Sequence, residues 1–287
     1  MYFEPLARSW DVETFDPRTV PAREKVGVDL APFQPGPLSD AYELSSHRIG
    51  EGIGAFASPA SPIVATVMLA KDGGSIRTFA GARGSECAQI QSFRAKRTLH
   101  CEGEAAEAFV TRCESDPEVA FVVTETPRVV VNIPADGRKF TYTADALVTF
   151  RSGVRRAIEI KRSERDLANP KYRQHLAIAF ECFRREGLET EVVMRDQIFA
   201  NRHHSRNCEL VAMHQFVEPT LRHLACIERL AKTNGTIAYG CLAACLEPDR
   251  PVYGKAVIHA LVVRHRVTFD LRAWLNDDTP VTISKRT

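Results

Sequence analysis

The segment from Tyr142 to Lys161 constrains this chain more than any other. It reads Tyr142-Thr143-Ala144-Asp145-Ala146-Leu147-Val148-Thr149-Phe150, turns at Arg151-Ser152-Gly153, and returns through Ala157-Ile158-Glu159-Ile160-Lys161. Two apolar, β-prone runs around a short glycine-containing turn predict an antiparallel hairpin. Such a hairpin sets Asp145, Glu159 and Lys161 at neighbouring positions on one sheet. Glu159 and Lys161 are two residues apart and so share a face. Two carboxylates and an ammonium directed at one point suit a hard cation and an attacking water, as metal-dependent phosphodiester hydrolysis requires.

The chain of 287 residues is long enough for two modest domains or one large one. A net charge of +2 neither supports nor excludes nucleic-acid binding, so any such surface must be a local patch. No apolar run is long enough to span a bilayer. The start, Met1-Tyr2-Phe3-Glu4, lacks the basic segment and apolar core of a secretion signal, and a cytoplasmic location is the expectation. The eight cysteines form no Cys-x-x-Cys pair. Cys241 and Cys245 lie four apart without a partner pair at zinc spacing, so the thiols are expected to be reduced and to pack as small apolar groups.

Residues 1–62 hold eight of the sixteen prolines. With a hairpin expected from Ile63–Leu69 and Ser75–Phe79 across Lys71-Asp72-Gly73-Gly74, residues 1–90 read as a Pro-rich extension. From about Arg94 the pattern changes. Residues 102–115 predict a helix with Ala106, Phe109, Val110 and Cys113 on one stripe, ended by Asp116-Pro117. Strands follow at Val119–Val123 and Arg128–Ile133, then the hairpin, an amphipathic helix at 170–186, and a strand at Glu191–Met194. This order defines an α/β layer over residues 91–206. Residues 207–287 read as helices at Leu221–Ala231, Ile237–Leu246 and Lys255–Arg264, with strands at Val267–Leu271 and Val281–Ser284. Three short helices and a two-stranded wing is the winged-helix order.

Residues from about 94 to 285 resemble TnsA, the endonuclease subunit of heteromeric transposases and a member of the restriction-endonuclease-like nucleases with the PD-(D/E)xK signature. Glu102-Gly103-Glu104 followed by Phe109 and Glu114-Ser115-Asp116-Pro117 looks like the family's first core helix and its exit. Pro127 stands where the family has a proline before its first long strand. Tyr142-Thr143-Ala144-Asp145 matches Tyr-Thr-Pro-Asp with alanine for proline, and Ile158-Glu159-Ile160-Lys161 matches the (D/E)xK element. The resemblance implies a mixed sheet flanked by helices and followed by a winged-helix domain. It also implies a Mg2+-dependent DNA endonuclease, with Mn2+ able to substitute, that cleaves at the 5′ ends of a transposon by attack of a metal-activated water on phosphorus. Its partners would be DNA, a DDE-type transposase (TnsB-like) and an AAA+ ATPase regulator (TnsC-like).

On this resemblance Asp145, Glu159 and the Ile160 carbonyl would bind the metal, and Lys161 would orient water or stabilise the transition state. A helix glutamate completes the family's acidic cluster. Its usual place here is Ala106, and Glu102, one turn earlier on the same stripe, is the candidate, with Glu107 and Glu104 as alternatives. Candidate phosphate contacts are Arg94, Lys96 and Arg97 before the first helix, and Lys171 and Arg173, with Gln174, at the start of the second. Arg162 and Arg165 beside the catalytic lysine fit a phosphate contact and a solvated surface equally. His203-His204 reads as a polar loop, and His259 and His265 as surface residues. Two other readings stand beside the transposase subunit: a stand-alone restriction or repair nuclease, and a DNA-binding assembly subunit with a decayed site. Ala106 and Ala144 keep the last in play.

Overall fold

The computed structural model describes residues 42–50, 62–71, 73–76, 87–134, 137–233 and 235–284. The chain divides into residues 1–38, which with most of the Pro-rich segment lie outside the described residues, and residues 39–287. The second unit runs β1 (Tyr42–Ile49), β2 (Ile63–Ala70), β3 (Cys87–Ser92), β4 (Arg97–Glu102), α1 (Glu104–Ser115), β5 (Val119–Thr124), β6 (Arg128–Ile133), β7 (Arg138–Thr143), β8 (Ala146–Phe150), β9 (Arg155–Lys161), α2 (Pro170–Arg185) and β10 (Glu189–Met194). It continues through α3 (Arg195–Phe199), α4 (Arg202–Met213), α5 (Leu221–Thr233), β11 (Thr236–Ala238), α6 (Tyr239–Leu246), α7 (Pro251–Val263), β12 (Val267–Thr268) and β13 (Pro280–Ile283). This is a mixed α/β architecture, and no helix among the described residues is long and apolar enough to cross a membrane.

The hairpin of β8 and β9 sits at the centre of a mixed sheet ordered β10-β9-β8-β5, with β10 parallel to β9 and the other pairs antiparallel. Gly153, at φ 87°, supplies the left-handed residue that its turn needs. Side chains alternate along β9. Ala157 joins a core with Leu176, Ala179 and Phe183 of α2, while Ile158 joins an opposite core with Val110 of α1. The sheet therefore lies between two helices. α2 is also covered by a second, antiparallel sheet ordered β1-β2-β6-β7, whose Ile63, Val129 and Val131 complete the first core.

Both helices start and stop where local chemistry directs. Asn169 accepts from the amides of Lys171 (2.9 Å) and Tyr172 (3.3 Å), and Pro170 fills the first turn, so α2 begins at a fixed residue. α1 ends at Asp116, whose backbone is extended ahead of Pro117.

Several segments differ from the sequence expectation. β2 pairs with β1 and β6. Of its expected partner Ser75–Phe79, residues 77–79 lie outside the described residues, and Ser75 and Ile76 form no strand. The basic run at 94–97 is the turn and second-strand start of the β3–β4 hairpin. His203 and His204 lie not on a loop but in the first turn of α4, their amides held by Asn201 Oδ1 at 2.9 and 3.0 Å. The C-terminal strands form a three-stranded sheet, β11-β13-β12, because Thr236–Ala238 pairs with β13 before α6 begins. Cys101, Cys113, Cys182, Cys208 and Cys226 are buried free thiols, whereas Cys87, Cys241 and Cys245 are exposed.

α7 is buried from Ala256 to Val263. Its Gly254 lies so close to α6 that a Cβ there would stand 2.3 Å from the Ala243 carbonyl oxygen, a contact only glycine avoids. His259, expected at the surface, is 3% exposed. Its Nε2 lies 2.8 Å from the Tyr239 hydroxyl and its Nδ1 3.0 Å from His214 Nδ1, which is also 2.8 Å from the Leu210 carbonyl. That carbonyl can only accept, so His214 Nδ1 carries a hydrogen and His259 Nδ1 accepts.

Burial, reinforced by His214 and Lys255, lowers the His259 pKa to about 3. The unfolded chain then binds a proton below about pH 6.5 that the folded protein refuses, so stability falls as pH drops from there toward 3. In urea unfolding between pH 7 and pH 5 the wild type is expected to lose about 2 kcal/mol more stability than His259→Gln, which keeps every other titrating group. Equal slopes in the two proteins would contradict this assignment.

Candidate active site

β8 and β9 pair with Ala146 opposite Ile158, and continuing that register by one step brings Asp145 opposite Glu159. Asp145 Oδ2 accepts from the Ile160 amide at 2.6 Å, and its own carbonyl accepts from the Glu125 amide at 2.9 Å. Ala144, fully buried, packs in the core at the place where the resemblance has proline.

Glu159 is 3% exposed. The Tyr142 hydroxyl donates to one of its carboxylate oxygens. The Tyr172 hydroxyl (2.5 Å) and the Lys161 ammonium meet the other. Burial, then the Glu159 charge, raises both phenol pKa values, so they remain donors. Burial disfavours the Lys161 cation, but the Glu159 charge outweighs it and the lysine pKa is raised overall. Its ammonium also lies 4.9 Å from the centroid of the Tyr172 ring. Burial and the Glu159 charge, against the Ile160 amide and Lys161, raise the Asp145 carboxyl to about 7, with a further push from Glu102.

Asp145, Ile160 and Lys161 border a cleft of about 860 Å³ that is also lined by Glu102, Glu104, Ala106, Arg162 and Arg195, among others. Glu102 reaches it from the end of β4, not from the helix stripe. Gly103, at φ 84°, separates strand from helix. Glu104 lines the cleft but pairs with Arg195 at 2.7 Å. Glu107 lines a separate cavity with Thr111 and Phe199. Ala106 occupies the cleft wall where the resemblance has its helix glutamate.

Of the expected phosphate contacts, Arg94 is corrected. Its guanidinium donates to the carbonyls of Val263 (3.0 Å), Cys113 (2.9 Å), Asp116 (2.7 Å) and Val119 (2.8 Å), which ties α1, β5 and α7 together. Lys96 and Arg97 sit at the turn end of the β3–β4 hairpin, about 17 Å of strand from Glu102, and do not line the cleft. Lys171 and Arg173 are exposed on the first turn of α2, on either side of Tyr172. The roles of Tyr142 and Tyr172 as donors to Glu159 were not read from sequence. The Asn169-Pro170 start places Tyr172 on the opening turn beside the lysine strand, and was the available signal.

Among the described residues no three acidic, histidine or cysteine side chains are gathered closely enough to hold an ion. The donors present are nevertheless all oxygen: Asp145, the Ile160 carbonyl, Glu102 at the mouth, and Glu159. A carboxylate offers about four lone-pair sites, and three of those on Glu159 are taken. Mg2+ prefers oxygen, keeps its waters and is commonly held by one or two carboxylates plus substrate phosphate. The donor set fits that cation. No family model matches this chain, and no curated protein sequence matches it.

Proposed function

We propose that this chain is a Mg2+-dependent DNA endonuclease, and that it serves as the TnsA-like subunit of a heteromeric transposase that cuts at the 5′ ends of the element. The observation that carries the reading is the cleft itself. It holds Asp145, which forms no ion pair among the described residues, beside Lys161, which is fixed from behind by a buried Glu159. The restriction-endonuclease-like and winged-helix assignments rest on the sequence resemblance and on the order of elements.

Asp145, Glu159 and the Ile160 carbonyl would hold the cation, with Glu102 at the mouth adding negative charge. When bound, Mg2+ supplies Lewis-acid polarisation of the phosphate and lowers the pKa of water. Tyr142 and Tyr172 fix Glu159, and Glu159 keeps Lys161 protonated and in place. Lys161 directs a compact positive charge at the phosphate as negative charge develops in the transition state. Lys171 and Arg173 receive the neighbouring DNA backbone.

The test is cleavage of a supercoiled plasmid carrying the element ends, with Mg2+ or Mn2+, by the chain alone and together with its DDE transposase and AAA+ ATPase. Cutting at the 5′ ends that needs all components is expected. Cutting by the chain alone would favour a stand-alone restriction or repair nuclease. An assembled complex that leaves DNA intact would favour the decayed assembly subunit, the reading that Ala106 in the cleft wall supports.

A further inference from the structure

Trp274, between β12 and β13, presents 56% of its surface to solvent. Its segment is nevertheless fixed from below. Asn207, 3% exposed on α4, donates through Nδ2 to the carbonyls of Leu271 and Ala273 at 2.9 Å each, and Asn201 Nδ2 donates to the Arg272 carbonyl at 3.0 Å. The Arg206 guanidinium lies 5.2 Å from the indole centroid, and His203 meets the ring edge-on at 5.4 Å and 85°. Arg156, Arg184, Arg195, Arg250, Arg264 and Arg266 each pair with a glutamate. Among the described residues, no carboxylate lies within ion-pair distance of Arg202, Arg206 or Arg272.

We infer that Trp274, with Arg202, Arg206 and Arg272, is a stacking platform for the bases of an unpaired nucleic-acid strand. Every base has a π-face to lay on an indole, and guanidinium groups without carboxylate partners are open to backbone phosphates. The hydrogen bonds from Asn201 and the buried Asn207 beneath the platform lower the ordering cost that a mobile tryptophan would incur. A protein partner fits less well. An indole anchor at a protein interface is ringed by contacts that exclude water, whereas the contacts of this exposed ring are the Arg206 guanidinium and the His203 imidazole. The platform uses none of the cleft residues, so it stands or falls separately from the nuclease reading.

The chain has two tryptophans, Trp10 and Trp274, so Trp10→Phe leaves Trp274 as the indole reporter. The full-length Trp10→Phe protein is titrated in EDTA with oligothymidylate, with a duplex of equal length, and with heparin as a polyanion lacking bases. Saturable quenching by oligothymidylate is expected, with log K falling against log salt at a slope of about −2 for three phosphate contacts. Heparin is expected to bind without that quenching. In anisotropy measurements with labelled oligothymidylate, Trp274→Ala should weaken binding about 5- to 150-fold. Arg206→Ala and Arg272→Ala should each reduce the salt slope by about 0.7. Asp145→Asn, which disables the cleft, should bind oligothymidylate like the wild type. Unchanged Trp274 emission, equal binding by Trp274→Ala, or a duplex that binds and quenches as well as the single strand would each overturn the inference.

Discussion

Asp145→Asn is expected to abolish DNA cleavage and, at the same time, to make the metal-free protein harder to unfold at pH 8. The Asp145 carboxyl is driven up to about 7 by burial and by the Glu159 charge opposite it. A carboxylate raised above its unfolded value near 3.8 contributes stability that is full below that pH and is lost as pH rises through 7. At pH 8 the loss is on the order of 4 kcal/mol. Asparagine keeps the size, still accepts from the Ile160 amide and carries no charge. The melting temperature of the variant should therefore rise by several degrees. Cleavage should fall by about three orders of magnitude, because a cation site contributes several kcal/mol of transition-state stabilisation. Mg2+ should raise the melting temperature of the wild type by linkage and leave the variant unmoved. Retained cleavage by Asp145→Asn, or an equal Mg2+ response in both proteins, would remove Asp145 from the site.

Arg94→Ala should produce the largest loss of stability, about 3–5 kcal/mol, read as a drop of roughly 10 °C or more in melting temperature. One guanidinium serves four backbone carbonyls, and truncation strands all of them away from water. It also removes a favourable charge from Glu114, which is fully buried and whose pKa burial already raises despite the hydrogen bond from Ser92 (2.5 Å). Arg94→Lys should recover little, since a single ammonium cannot reproduce the planar fork. Denaturant unfolding checks the magnitude. DNA affinity of the folded fraction should stay unchanged, and a selective loss of DNA binding without loss of stability would restore Arg94 as a phosphate contact.

The contrast between these two residues shows which information is local. Asp145 and Glu159 were legible because strand alternation and a glycine turn fix their register within about fifteen residues of chain. The acceptors of Arg94 come from positions 113, 116, 119 and 263, and no local pattern announces them. Arg94, Lys96 and Arg97 therefore read as an ordinary basic run. Glu102, which does line the cleft, was read as part of the first helix because its spacing continues the α1 stripe, although Gly103 marks the break between strand and helix. The burial of His259 was available in principle, since Ala256–Val263 is apolar on all sides of the helix and such a helix belongs inside. The Asn201 cap likewise announced the helix that carries His203 and His204. The pairing of β1 with β2 was hidden by the proline-rich surroundings.

β4 starts just past the Arg94 clamp and ends at Glu102 on the cleft, with Leu99 and Cys101 buried between them. Successive side chains on a strand alternate, so its six residues act as a counting device as well as a wall. Deleting or inserting a single residue between Arg97 and Glu102 would turn Leu99 and Cys101 outward and carry the glutamate off the cleft. Related chains should accordingly vary freely at the half-buried Thr98 and His100 while keeping the segment's length constant.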